Sequence, residues 1–187
     1  MQSDSHPQIS IFVTGARNTN LFPSETLIAG EKLGNTLAKK HITLMVAEAE
    51  GFPLWVSKGT QSNLGTVILF SPAAHRDEHA RVYRLPHGDA GVNTIYTGFG
   101  RVGAELLGVR SADAVIVGCG EFAYIHAFTT ALYEEKPIGI LESDHELHPA
   151  VNEVLKNSQY KHDGIFFDSD PNRLVERIEA YVRKSQT

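Results

Sequence analysis

The stretch that most narrows the possible folds covers residues 102–141, VGAELLGVRSADAVIVGCGEFAYIHAFTTALYEEKPIGIL. Ala112 to Val117 is a short apolar run that halts at Gly118-Cys119-Gly120. Behind the glycines, Phe122, Ile125, Phe128, Thr129 and Leu132 recur at helical spacing. Lys136-Pro137 ends that helix, because proline lacks an amide hydrogen and clashes with the preceding turn. Ile138-Gly139-Ile140-Leu141 then returns to strand character. Two buried strands joined by a helix form a βαβ unit, which sets both strands parallel in one sheet. Ligands of such sheets sit at the carboxyl ends of the strands, here Gly118 to Phe122.

The rest of the chain repeats the alternation. Strands are predicted at Ile9 to Val13, Ile42 to Val46, Thr66 to Ser71, Val92 to Thr97 and Gly164 to Phe167. Helices are predicted from Ser24, read as an N-cap, to Lys39-Lys40, and then over Phe52 to Gln61, Phe99 to Arg110 and Leu147 to Lys156. A last helix is capped by Asp170, starts at Pro171, and carries Leu174, Ile178 and Val182 on one face. Pro72 to Asp89 reads as a long connection, functional or mobile. The alternation argues a doubly wound α/β layer fold. Residues 1–8 are polar and expected to fray, and residues 9–187 to form a single domain.

A length of 187 residues permits a core covered on both sides. The net charge of −5 and the absence of a basic run argue against a nucleic-acid partner. The sole cysteine, Cys119, excludes an internal disulfide and fits a reducing cytoplasm. No apolar run approaches the ~20 residues of a membrane helix.

Val109-Arg110-Ser111-Ala112-Asp113-Ala114-Val115-Ile116, the glycine turn, the helix and Lys136-Pro137-Ile138-Gly139 together resemble the SMF/DprA–LOG superfamily. Many of its members bear the label "possible lysine decarboxylase". The branch resembled most includes molybdenum-cofactor carrier proteins. Leu33-Gly34, Leu37-Ala38, Ser57-Lys58-Gly59, the strand ending in Ser71-Pro72, and Thr97-Gly98-Phe99-Gly100 extend the resemblance over residues 9 to 141. It implies a Rossmann-like, mostly parallel sheet of about seven strands with helices on both faces. It also implies a nucleotide-like or molybdopterin-like ligand, and a homodimer or higher homo-oligomer.

The resemblance is close in order and eroded in motif. The phosphoribohydrolases of the LONELY GUY type carry a glycine-rich signature ending in glutamate. On this chain it falls on Gly118-Cys119-Gly120-Glu121-Phe122-Ala123-Tyr124-Ile125-His126, so that one glycine is Cys119 and the glutamate is His126. The family's arginine falls on Ala104, with Arg101 out of register. The earlier glycine loop falls on Ala47-Glu48-Ala49-Glu50-Gly51.

Glycines in such loops let backbone amides converge on an anion. The expected ligand contacts are therefore Gly15, Ala16 and Arg17 after the first strand, Gly51 and Lys58 at the second helix, and Gly98 and Arg101 at the start of the helix over Phe99 to Arg110. Gly118, Cys119, Gly120, Glu121 and Phe122 complete the set. Glu48, Glu50 and Glu121 bring negative charge to the same edge, which Arg17, Lys58 and Arg101 would offset. A histidine cannot supply the fixed negative charge that an oxocarbenium-like centre needs, although it can act as a base.

The expected function is thus small-ligand binding with catalysis lost or altered. One alternative is a nucleotide N-glycosidase using His126, Glu121 or Glu48, with Glu105 a further out-of-register carboxylate. Another is an interaction protein with an empty pocket. No metal site is expected: His75 and His79 have helical spacing but lie in a charged loop. Asp113 reads as a structural cap, Phe52 and Trp55 as core or dimer contacts, and Phe122, Tyr124, Phe128 and Tyr133 as a candidate dimer face.

Overall fold

The computed structural model describes residues 7–20, 22–47, 50–85, 91–118, 123–142, 148–159 and 163–185. Among these residues, seven strands alternate with seven helices: β1 Ser10–Thr14, α1 Ser24–Lys39, β2 Thr43–Val46, α2 Gly51–Ser62, β3 Val67–Ser71, α3 Arg76–Arg81 and β4 Val92–Tyr96 in the first part. The second part has α4 Gly100–Ser111, β5 Ala114–Val117, α5 Ala123–Tyr133, β6 Ile138–Leu141, α6 His148–Asn157, β7 Ile165–Asp168 and α7 Pro171–Ser185. The strands form one sheet in the order β4-β3-β2-β1-β5-β6-β7. Every pairing is parallel, so the mostly parallel sheet expected is wholly parallel, in a Rossmann-like α/β fold.

Each face of the sheet carries its own core. Ile11 and Val13 of β1 pack with Leu33 and Leu37 of α1, Phe52 and Val56 of α2, and Leu174, Ile178 and Val182 of α7. Phe12 points the other way, toward Ala104 and Val109 of α4 and Ala127, Phe128 and Ala131 of α5. This follows from the two-residue period of a strand. β1 and β5 are buried along their whole length, as expected for strands covered on both faces.

Asp113 clasps these two central strands. Its Oδ2 accepts from the backbone amide and the hydroxyl of Ser10, both at 2.8 Å, so the structural reading of Asp113 holds. Asp170 likewise caps α7, its Oδ1 accepting from Asn172 N at 2.8 Å.

Three local expectations are corrected. Ser24 is the first residue of α1 rather than its cap. Pro23 occupies the capping position with no side-chain hydrogen bond, because its φ of −60 and ψ of 155 already turn the chain into the helix. The connection after β3 contains α3, held by His75 Nδ1 accepting from Glu78 N and by buried His79 against Ser71 Oγ at 2.8 Å. Tyr124 and Phe128 are not a dimer face: both are buried in the α5 side of the core at 4% and 0% exposure. Among the described residues, no helix is long and apolar enough to cross a membrane.

Candidate functional site at the β1–β5 junction

β1 lies between β2 and β5. The chain leaves β1 toward β2 and leaves β5 toward β6, on the opposite side. Their carboxyl ends therefore bound the crevice at which the strand order reverses. Phe52 is the hub of this crevice. Its amide donates to Ala16 O at 2.8 Å, tying the start of α2 to the turn after β1. Gly118 N donates to Thr14 O at 2.9 Å, which brings the end of β5 to the same turn.

Two positions here exclude a side chain. Gly51 has φ +62, and a Cβ on it would fall 2.1 Å from Ala16 O and 2.4 Å from Arg17 O. A Cβ on Gly118 would fall 2.0 Å from the Phe52 ring. Gly15–Arg17, Gly51 and Gly118 thus meet in one place, built from residues far apart in sequence.

Charged groups ring the crevice. Arg101, in the first turn of α4, places Nη1 3.2 Å from Glu50 Oε1 at the start of α2, and its guanidinium lies 5.7 Å from the Tyr83 ring centroid. The Glu50 charge is therefore partly neutralised by the arginine that was expected to offset it. Deeper in, Glu105 on α4 faces His126 on α5, with Oε1 3.6 Å from Nδ1. That distance is beyond a hydrogen bond. Oε1 is buried and has no hydrogen-bond partner. The Glu105 side chain is 13% exposed and that of His126 43%. Burial pushes the Glu105 carboxyl above the usual carboxylate range, opposed by the His126 imidazole and then the Arg17 charge.

A carboxyl raised on folding stabilises the protein below its unfolded pKa, and that contribution is lost as pH rises through the folded value. Replacing Glu105→Gln is therefore expected to raise stability at neutral pH. The gain should be about 1 kcal/mol, from removing the charge on an unsatisfied buried acceptor, or roughly 2–4 °C in Tm. The gain should vanish near pH 4. Melting curves of both proteins across that range check it, and an unchanged or lower Tm at neutral pH would contradict the assignment.

The remaining expected contacts divide. Gly15 and Ala16 are buried and Arg17 is exposed at the crevice. Lys58 is not brought there: it lies two turns into α2, about 10 Å along the helix from Gly51, with its ammonium 4.5 Å from the Trp55 ring centroid. Gly98 sits beyond edge strand β4, its amide donating to Ala73 O at 2.9 Å. Arg101 carries the site toward that side, through its pair with Glu50. Glu48, Cys119, Gly120, Glu121 and Phe122 lie outside the described residues. A concavity lined by His41, Asn63 and Leu64 is at the opposite, amino-terminal edge of the sheet.

In the sequence Glu105 stands only as an out-of-register substitute for the family's glutamate. Only its place one turn beyond Arg101 on a cleft-bordering helix signalled it. Of the two expectations for Phe52, core or dimer contact, it is core, and its place between three turns has no sequence signature.

The fold has solved counterparts. A molybdenum cofactor binding protein from Rippkaea orientalis superposes with TM-score 0.72 at 20% identity, over 96% of this chain and 99% of that one. The protein TM1055 gives TM-score 0.76 at 23% identity over 92% and 99%. DNA processing protein A from Streptococcus pneumoniae gives 0.65 at 11% identity, over 90% of this chain and 61% of that one. At these identities the likeness establishes the fold. No curated protein matches the sequence. The profile of the SLOG cluster4 family, however, matches residues 8–175, spanning β1 to the start of α7 and every turn of the crevice. With the order of strands and the turns at β1 and β5 as the family resemblance required, the chain belongs to the SLOG cluster4 family.

Proposed function

We propose that this protein binds a small anionic ligand of the nucleotide or molybdopterin type at the carboxyl ends of β1 and β5, and that binding rather than turnover is its role. The observation that carries this reading is the meeting of Gly15–Arg17, Gly51 and Gly118 around Phe52. At Gly51 and Gly118 the β1 turn and the Phe52 ring pack so closely that a Cβ could not fit. Turns at the carboxyl ends of strands, where the strand order reverses, are where ligands of such folds sit. The unsatisfied Glu105 Oε1 fits a ligand that also carries N–H or O–H donors, which both pterins and nucleosides do. A structural neighbour named for molybdenum cofactor binding supports the same class. We further propose a cytoplasmic homo-oligomer that does not take nucleic acid. Although a DNA-processing protein shares the fold, the chain carries a net charge of −5, and Arg101 at the crevice is paired to Glu50.

Thermal melting with nucleoside monophosphates and molybdopterin compounds tests the reading. A ligand at a hundredfold excess over its Kd stabilises by about 2.7 kcal/mol, a rise of roughly 5–10 °C in Tm. The expected result is such a rise with the ligand recovered unchanged. No shift with either class would oppose binding and favour an interaction protein with an empty crevice.

One observation favours a second reading, an N-glycosidase. Glu105 and His126 set a carboxyl beside an imidazole on facing helices. A carboxylate can stabilise an oxocarbenium-like centre, and an imidazole can take a proton from water. Release of free base from nucleoside monophosphates, abolished by Glu105→Gln and by His126→Ala, would select it.

A further inference from the structure

Glu50 holds the N-cap position of α2, with extended backbone, yet its side chain makes no capping hydrogen bond. An N-cap side chain accepts from the second or third amide of its helix. Here the second is Phe52 N, already donated to Ala16 O. The third is Pro53, which has no N–H. With no amide of α2 to take, the carboxylate crosses to α4, where Oε1 accepts from Arg101 Nη1 at 3.2 Å. The Tyr83 ring flanks the guanidinium. Neither partner is sealed off: the Arg101 side chain is 29% exposed and that of Glu50 42%. The pair adjoins Gly51, which packs on the backbone of Ala16 and Arg17 in the β1 turn. A carboxylate of the chain's own thus sits on a guanidinium at the rim of the crevice, where a ligand can reach both.

We propose, on the footing that the crevice takes a small anionic ligand, that Arg101 is its phosphate-binding residue and that Glu50 is a tethered competitor which the phosphate must displace. A group fixed to the same chain competes as though present at roughly millimolar concentration. The ligand must therefore hold the guanidinium better than a carboxylate does. A carboxylate or a phosphodiester brings a single charge, as Glu50 does, and exchanging it for Glu50 gains little. A phosphate monoester brings close to two charges at neutral pH, and three acceptor oxygens. Arginine takes two such oxygens in parallel hydrogen bonds. The exchange then runs in favour of the ligand, while Glu50 returns to water that already reaches it. The class selected is a terminal phosphate monoester, which nucleoside 5′-monophosphates and molybdopterin share. A polynucleotide offers diesters along its length instead.

Calorimetric titration of the full chain tests this, with inorganic phosphate, guanosine 5′-monophosphate, its 5′-methyl phosphodiester and a pterin phosphate monoester as probes. Glu50→Gln keeps the size and removes the competing charge. It is expected to bind inorganic phosphate and the monoesters about fivefold more tightly, the upper end for a part-exposed ion pair. Arg101→Gln is expected to weaken the monoesters about tenfold, as for a lost charge-assisted hydrogen bond. In the Arg101→Gln background, Glu50→Gln should bring no gain, because nothing is left to compete for. The wild type should prefer the monoester to its methyl ester several-fold, and Arg101→Gln should lose that preference. Either monoester binding through Arg101 supports the proposal, and the tighter one names the source. Glu50→Gln binding no more tightly than the wild type, or gaining equally without Arg101, would overturn it. Probes that bind the wild type and both single variants alike would overturn the pairing and leave the crevice as a binding site. No binding of any probe to the wild type or to Glu50→Gln would overturn both.

Discussion

Gly51→Ala is expected to destabilise the protein by about 3 kcal/mol and to abolish ligand-induced thermal stabilisation. Two costs combine. A non-glycine residue at φ +62 pays roughly 1–2 kcal/mol for its left-handed conformation. The added methyl would sit 2.1 Å from Ala16 O and 2.4 Å from Arg17 O, and forcing such a contact costs a further ~1–3 kcal/mol. The atoms in the way are backbone, so relief requires the β1 turn to move. That turn is half of the proposed site. Gly100→Ala separates the two costs. Its φ is +67, but its nearest neighbour is Tyr83 Oη at 3.9 Å, so it should lose only about 1 kcal/mol. Urea unfolding of both variants measures the difference. Equal losses would mean that close approach to the β1 turn contributes nothing.

The adjacent residue fails for the opposite reason. Phe52→Ala is expected to cost about 3–5 kcal/mol, a fall in Tm on the order of 10 °C. Phe52 is fully buried, and its ring fills the space that Gly118 leaves. Removing it leaves a cavity between α2 and the end of β5, in contact with both of the turns that its own amide and that of Gly118 hold together. The loss should appear in binding as well as in stability. Phe52→Leu, which keeps part of the volume, should recover much of the stability. If Phe52→Ala melts like the wild type, the ring is not the support proposed.

The framework was legible because each strand here is an apolar run between turn residues, and the runs alternate with helical periodicity. Ile138–Leu141 was placed to the residue, since Pro137 fixes one end and Glu142 the other. The α7 face of Leu174, Ile178 and Val182 is buried as its spacing required. α3 was not legible. Its six residues, RDEHAR, have no apolar period, and a buried histidine bonded to Ser71 holds it in place. The site was half legible. Glycines mark turns, so Gly15, Gly51 and Gly118 are legible as turn residues, and the fold brings them together. Which side chains reach across depends on helix placement, and sequence spacing does not encode that. Lys58 was therefore placed at the crevice though it lies along α2. Glu105 stands in the sequence only as an out-of-register substitute carboxylate, and Tyr124 and Phe128, candidates for a dimer face, are turned inward by α5.

The clasp between Ser10 and Asp113 joins residues 103 positions apart. The innermost strand is thus made before its second neighbour and pairs with it only after the intervening residues are in place. Parallel pairing at such separation comes late, because a long loop must close before any contact rewards it. The crevice lies on that junction, so it comes into being only as β5 docks. A ligand that grips both strand ends would tighten the final closure step, and amide exchange at Val115 and Val117 would slow on its arrival more than exchange at β3.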